Sequence, residues 1–137
     1  LSEYVLVGHS ERRDNFSETN DVVDRKIEQA FKHGLVPVIC ISTIEQVKNI
    51  KSKITGKSII AYEPLFAIGS GNPDTPENAD RMCQEIKNIL GEVSVLYGGS
   101  VNKYNIKNFT SMLNVDGALV GKASLDPLEF LGIVGNC

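Results

Sequence analysis

The sequence predicts a parallel α/β fold whose functional groups gather at one end of its strands. Two observations carry this. Short, almost uninterrupted apolar runs alternate with stretches of helical periodicity along the whole chain. Polar and glycine-rich segments follow the apolar runs, whereas plainer segments lead into them. Runs without polar alternation are how strands covered on both faces read. Strict alternation with helices calls for parallel strands joined by right-handed crossovers.

The elements follow in order. Apolar runs at Tyr4–Gly8, Val36–Ile41, Ser58–Tyr62, Ser94–Tyr97 and Gly117–Val120 are rich in Val, Ile, Leu and Tyr and predict five strands. Over residues 20–33, Val23, Ile27, Ala30 and Phe31 share a helical face that Gly34 ends. Over 44–55, Ile44, Val47, Ile50 and Ile54 make a looser stripe, closed by Gly56. Residues 76–90 give the clearest helix: Thr75 caps it, Pro76 suits its first turn, and Ala79, Met82, Cys83, Ile86, Ile89 and Leu90 form its apolar side. Residues 102–113 place Ile106, Phe109 and Leu113 together, with Asn102 as cap, and 126–134 form a short last helix. An open doubly wound sheet and a (β/α)8 barrel both fit this order. Five βα units are too few to close an eight-stranded barrel, which takes about 250 residues. A single domain over 1–137 is expected, with no linker or low-complexity segment. Leu1 stands almost in mid-strand without a cap or turn, so more sequence is expected upstream.

Composition narrows the function. The 137 residues carry a formal net charge of −3, which offers no broad footprint for nucleic acid or an anionic membrane. No apolar run approaches a membrane span. Cys40, Cys83 and Cys137 are an odd set at unpatterned spacing, neither disulfide framework nor zinc site, so a reducing cytosol is the default compartment. No ligand cluster suggests a metal, and neither a serine-hydrolase elbow nor a dinucleotide fingerprint is present.

The chemistry collects after the strands, where parallel α/β proteins place their sites. Glu63 directly follows Ile59-Ile60-Ala61-Tyr62, so partial desolvation suits it as a general base. A surface Glu capping a helix is the plainer alternative. His9, after Gly8, faces the same end, where a neutral imidazole can donate to a substrate oxygen. Gly69-Ser70-Gly71, Gly98-Gly99-Ser100 and Gly121-Lys122 expose backbone N–H groups after three successive strands, which favours a phosphate over ordinary turns. Glu11, Arg12 and Arg13 read as a solvated charge run or as a salt-bridge network behind His9. Cys40 reads as a core thiol and His33 as a helix-end residue.

Four motifs carry a resemblance. Gly8-His9-Ser10-Glu11-Arg12-Arg13, Ala61-Tyr62-Glu63-Pro64 with Ala67-Ile68-Gly69-Ser70-Gly71, Tyr97-Gly98-Gly99-Ser100-Val101, and Asp116-Gly117-Ala118-Leu119-Val120-Gly121-Lys122-Ala123-Ser124-Leu125 resemble triosephosphate isomerase. The resemblance spans essentially the whole chain and only the fourth to eighth strands of that family's TIM barrel. It implies interconversion of dihydroxyacetone phosphate and glyceraldehyde 3-phosphate without a cofactor, and no nucleic-acid or membrane partner. It makes Glu63 the base that moves the proton between two carbons and His9 the neutral electrophile. That pairing is established chemistry of the family rather than a derivation from these residues. It makes Pro64 through Gly71 a mobile lid, and Gly69, Ser100 and the Gly121/Lys122 backbone the phosphate site. Tyr97 then latches the closed lid, and Glu11 is the acidic residue beside the site. The departures are equally specific. The family's first three strands, with an asparagine, a lysine that steadies substrate charge, and the loop that builds its homodimer, have no counterpart here. Lys122 stands where a second glycine is commoner, Ser42-Thr43 replaces Gly-Glu, Phe66 replaces an indole, and the stretch from Ile41 to Glu63 is shorter by about one helix.

Overall fold

The computed structural model describes residues 2–137; Leu1, on which the expectation about the start rests, lies outside them. Five strands form one parallel sheet: β1 (Tyr4–Val7), β2 (Val36–Ile41), β3 (Ile59–Tyr62), β4 (Ser94–Tyr97) and β5 (Gly117–Ala118). Their spatial order is their chain order. Successive right-handed crossovers without a reversal place every helix on one face, which is the arrangement of a barrel wall and not of a doubly wound sheet. The helices are α1 (Ser10–Phe16), α2 (Asn20–Lys32), α3 (Ile44–Ile50), α4 (Pro76–Leu90), α5 (Ile106–Thr110) and α6 (Pro127–Gly135). In line with a single outer layer, α2 packs on α3, α3 on α4 and α4 on α5.

Local chemistry explains the boundaries. Thr19, Thr43, Thr75 and Asp126 accept N–H bonds at the starts of α2, α3, α4 and α6. Pro76 and Pro127 occupy first turns, where a missing N–H costs nothing. Gly34 stops the second helix with a φ of 70°. Between helices and sheet, Val23, Ile27, Val47, Ile60, Ile86, Val95 and Phe109 are buried. Each such side chain contributes about 1.5–3 kcal/mol by leaving water.

Several expectations are corrected. The charge run after β1 lies in a helix that the sequence does not predict: Ser10–Phe16, with an acid in its first turn and a base in its last. That polarity is the signal the charge-run reading passed over. The third helix ends at Ile50 and continues only as a tight 3₁₀ turn over Lys51–Lys53. The fifth spans Ile106–Thr110 rather than 102–113, with hydrogen-bonded turns before and after it. Leu113, expected on its apolar side, is 90% exposed, and Val115 fills the core instead. Only Gly117 and Ala118 of the last apolar run pair as a strand. The first strand is not covered on both faces. Tyr4 and Leu6 are 46% and 48% exposed, since alternate residues share a face and nothing packs inside the wall there.

Candidate active site

The C-terminal ends of the strands surround a cavity of about 760 Å³. His9, Glu63, Gly69, Ser100, Gly121 and Lys122, all singled out in the sequence, line it. Leu6 and Asn102 line it as well. Asn102, expected as the cap of the fifth helix, is not its cap: that helix begins at Ile106 with Asn105 in the cap position, and Asn102 Oδ1 accepts from the N–H groups of Tyr104 and Asn105 in the turn before it.

Glu63 is built into position. Its N–H continues the ladder to Ile41 O at 2.8 Å, so the residue is fixed as an extension of β3. Its side chain is 2% exposed. One carboxylate oxygen, Oε2, accepts the Ser10 N–H at 3.0 Å. The other, Oε1, lies 3.1 Å from His9 Nε2. Burial pushes the Glu63 carboxyl above the ordinary carboxylate range, opposed by His9 and by the Ser10 N–H. Cys40 is fully buried nearby; burial first, and then the charge of Glu63, push its thiol upward. It is a core thiol, as its strand setting suggested.

His9 is oriented from both sides. Its Nδ1 accepts the Glu11 N–H at 3.3 Å, which also caps α1. A nitrogen that accepts carries no proton, so in the neutral ring the proton sits on Nε2, pointed at Glu63. Glu11 therefore meets the site through its backbone. Its carboxylate is on an exposed residue and makes no hydrogen bond or ion pair among the described residues. Arg12 bonds Glu18 at 2.7 Å, a carboxylate that Lys26 also engages, and Arg13 donates to Gly8 O and Asn20 Oδ1. These arginines tie the helices behind His9 together.

The segment from Pro64 to Asp74 arches beside the cavity. Leu65–Ala67 form a single 3₁₀ turn, and Gly69 and Gly71 adopt φ values of 61° and 77°. Its ends are fastened. Ser100 donates both its hydroxyl, at 2.6 Å, and its N–H, at 3.0 Å, to Ala67 O. Both Ser100 donors are thus occupied, and an anion can use them only after this segment shifts. Tyr97 does not line the cavity. It is buried, stacks on Phe109 at 4.1 Å, and accepts the Asp74 N–H at 2.8 Å. Burial pushes its phenol up to about 12, so it stays neutral. Removing that acceptor with Tyr97→Phe leaves a buried N–H unpaired, a cost of about 1–3 kcal/mol. Amide exchange over residues 72–75 is expected to quicken tenfold or more in hydrogen–deuterium exchange. Unchanged protection there would mean that the hydroxyl fastens nothing.

Gly98 is needed for room. A Cβ there would lie 3.0 Å from Glu63 Cγ and 3.0 Å from Tyr62 O, while Gly98 N is anchored to Tyr62 O at 2.7 Å. The backbone cannot yield, so Gly98→Ala must displace Glu63. A loss of about 1–3 kcal/mol in urea unfolding is expected, with a shift of the His9 ring resonances. Parent-like values in both would remove this constraint.

Fold and site together define a parallel (β/α) barrel-wall protein with a buried carboxylate–imidazole pair and glycine turns at the C-terminal strand ends. The family model described as triosephosphate isomerase matches residues 2–137. The chain is 44% identical over 151 residues to a triosephosphate isomerase of Mesomycoplasma hyopneumoniae, covering 98% of this chain and 62% of that protein. It is 40% identical over 158 residues to one of Dictyoglomus turgidum, covering 96% and 64%. The chain belongs to the triosephosphate isomerase family and spans less than two thirds of the length of these relatives. Among the described residues, no helix is long and apolar enough to cross a membrane, and no group of three His, Cys, Asp or Glu could hold a metal ion.

Proposed function

We propose that this chain carries the proton-transfer site of a triose-phosphate isomerase, which interconverts dihydroxyacetone phosphate and glyceraldehyde 3-phosphate through an enediolate. The observation that supports it best is the buried Glu63 carboxylate facing the Nε2 proton of His9 in a cavity walled by glycine turns. In this reading Glu63 takes a proton from one carbon and returns it to the next. A base with a raised affinity for protons suits that task near neutral pH. His9 donates from Nε2 to the substrate oxygen. The Pro64–Gly71 segment closes over the ligand and excludes water. The N–H groups of Gly69, Ser100, Gly121 and Lys122 hold the phosphate once the lid has shifted. No cofactor takes part.

A second reading is a phosphate-binding barrel wall that does not turn over alone. It is favoured by the chain's coverage of only 62% of a relative and by the lack of any residue matching the family's lysine. Losing one positioned cation costs about 10²- to 10³-fold in rate. The two readings part in one assay: deuterium incorporation from solvent into dihydroxyacetone phosphate, followed by proton NMR with this chain. Incorporation above the buffer rate supports the first. Phosphate binding without incorporation supports the second, and the absence of both overturns each.

A further inference from the structure

The cavity has an unbalanced charge. Glu63 brings a carboxylate into it, and the chain as a whole carries −3. A phosphate monoester entering it adds further negative charge. The glycine turns answer with N–H dipoles only. Among the residues that line the cavity, Lys122 alone bears a permanent positive charge.

Lys122 is also uncommitted. Lys26, Lys53, Lys87 and Lys103 are each paired with a carboxylate, and the lysines without such a pair among the described residues, Lys32, Lys48, Lys51, Lys57 and Lys107, do not line the cavity. Among the described residues Lys122 makes no such pair, and Asp126, four residues on, spends its oxygen Oδ1 capping α6. It is exposed, so its ammonium is hydrated in the free chain. It opens the 3₁₀ turn Lys122–Leu125 directly after Gly121, at the rim. A flexible four-carbon stem lets the ammonium reach a ligand held over that turn.

We propose that the Lys122 side chain is the cation of the anion site, pairing with a dianionic phosphate group over the Gly121 turn and setting its affinity and charge preference. This rests on the phosphate reading above, which asks the turn for its backbone N–H groups only. An ion pair at a solvated rim is modest and screened by salt, so about a tenfold effect on affinity is in scale.

The test titrates this chain with inorganic phosphate at low ionic strength, following the amide resonances of Gly69 and Gly121. Lys122→Gln and Lys122→Gly are expected to bind about tenfold more weakly, and Lys122→Arg within about threefold of the parent. All should keep the parent's thermal midpoint, and the difference should fade at about 1 M salt. The arginine rescue and the salt response separate charge from a structural role of the turn. Parent-like binding by Lys122→Gln, or failure of arginine to rescue, overturns this inference alone. A parent that binds no phosphate overturns it together with the phosphate reading.

Discussion

On the isomerase reading proposed above, replacing Glu63 with glutamine is expected to bring this chain's deuterium incorporation into dihydroxyacetone phosphate down to the buffer rate. Glutamine keeps the shape, and its carbonyl oxygen can still accept the Ser10 N–H that now reaches Oε2 at 3.0 Å, but its NH2 then faces the Nε2 proton of His9, which lies 3.1 Å from Oε1 in the parent. It cannot take up a proton. The same substitution is expected to remove one pH dependence of stability. Burial raises the folded carboxyl above its ordinary 4.5, so the folded chain holds this proton more tightly than the unfolded chain. Stability from this group is then greatest below 4.5 and falls as pH rises through the window that begins there and ends at the raised value. Glutamine has no such titration. Its thermal midpoint relative to the parent's should therefore rise as pH passes through the window, by about 3 °C for each kcal/mol. Loss of activity together with this relative rise marks a group kept for chemistry at the expense of stability at neutral pH. Incorporation that survives in Glu63→Gln would remove Glu63 from the proton transfer.

Gly99→Ala is the substitution expected to damage the fold most. A Cβ there would lie 2.1 Å from the Tyr97 hydroxyl oxygen and 2.4 Å from Cζ. Neither side can give way cheaply. The Tyr97 ring is fully buried, stacked on Phe109, and held at its hydroxyl by the Asp74 N–H. Overpacking of this kind costs about 1–3 kcal/mol or more; the upper part of that range is expected, because relief also breaks the Asp74 bond. Urea unfolding measures it, and near-UV circular dichroism should lose the Tyr97 signal. Gly71→Ala is an instructive contrast. Its added Cβ would meet nothing within 4 Å, so only its φ of 77° resists alanine. Equal losses at the two glycines would show that the close approach of Tyr97 is not what requires Gly99.

Much of the wall was legible from local chemistry. The helix at Pro76–Leu90 is legible to the residue, because Thr75 and Pro76 open it and its apolar stripe is regular. The strand Val36–Ile41 was also read as observed, since it lies inside the sheet and must be apolar on both faces. The fifth helix is over-extended by the sequence because Leu113 continues its stripe, yet the helix ends at Thr110 and Leu113 lies exposed in the turn beyond it. Helix α1 went unread because it buries only Ser10, so it has no apolar period to detect.

The site divides along the same line. Residue types and their positions after the strands already named His9, Glu63 and the glycine turns, because parallel topology sends every strand end to one face. Only the folded chain could reveal that Glu63 is held by Ser10, 53 residues away, and by His9. Only it could place both Ser100 donors on Ala67 and the Tyr97 hydroxyl on Asp74. Such partners have no fixed sequence spacing. They depend on strand register and on crossover lengths, which are properties of the assembled sheet. Residue identity settled which groups are available for chemistry; long-range packing decided which of them touch, which are desolvated, and which must move before a ligand can bind.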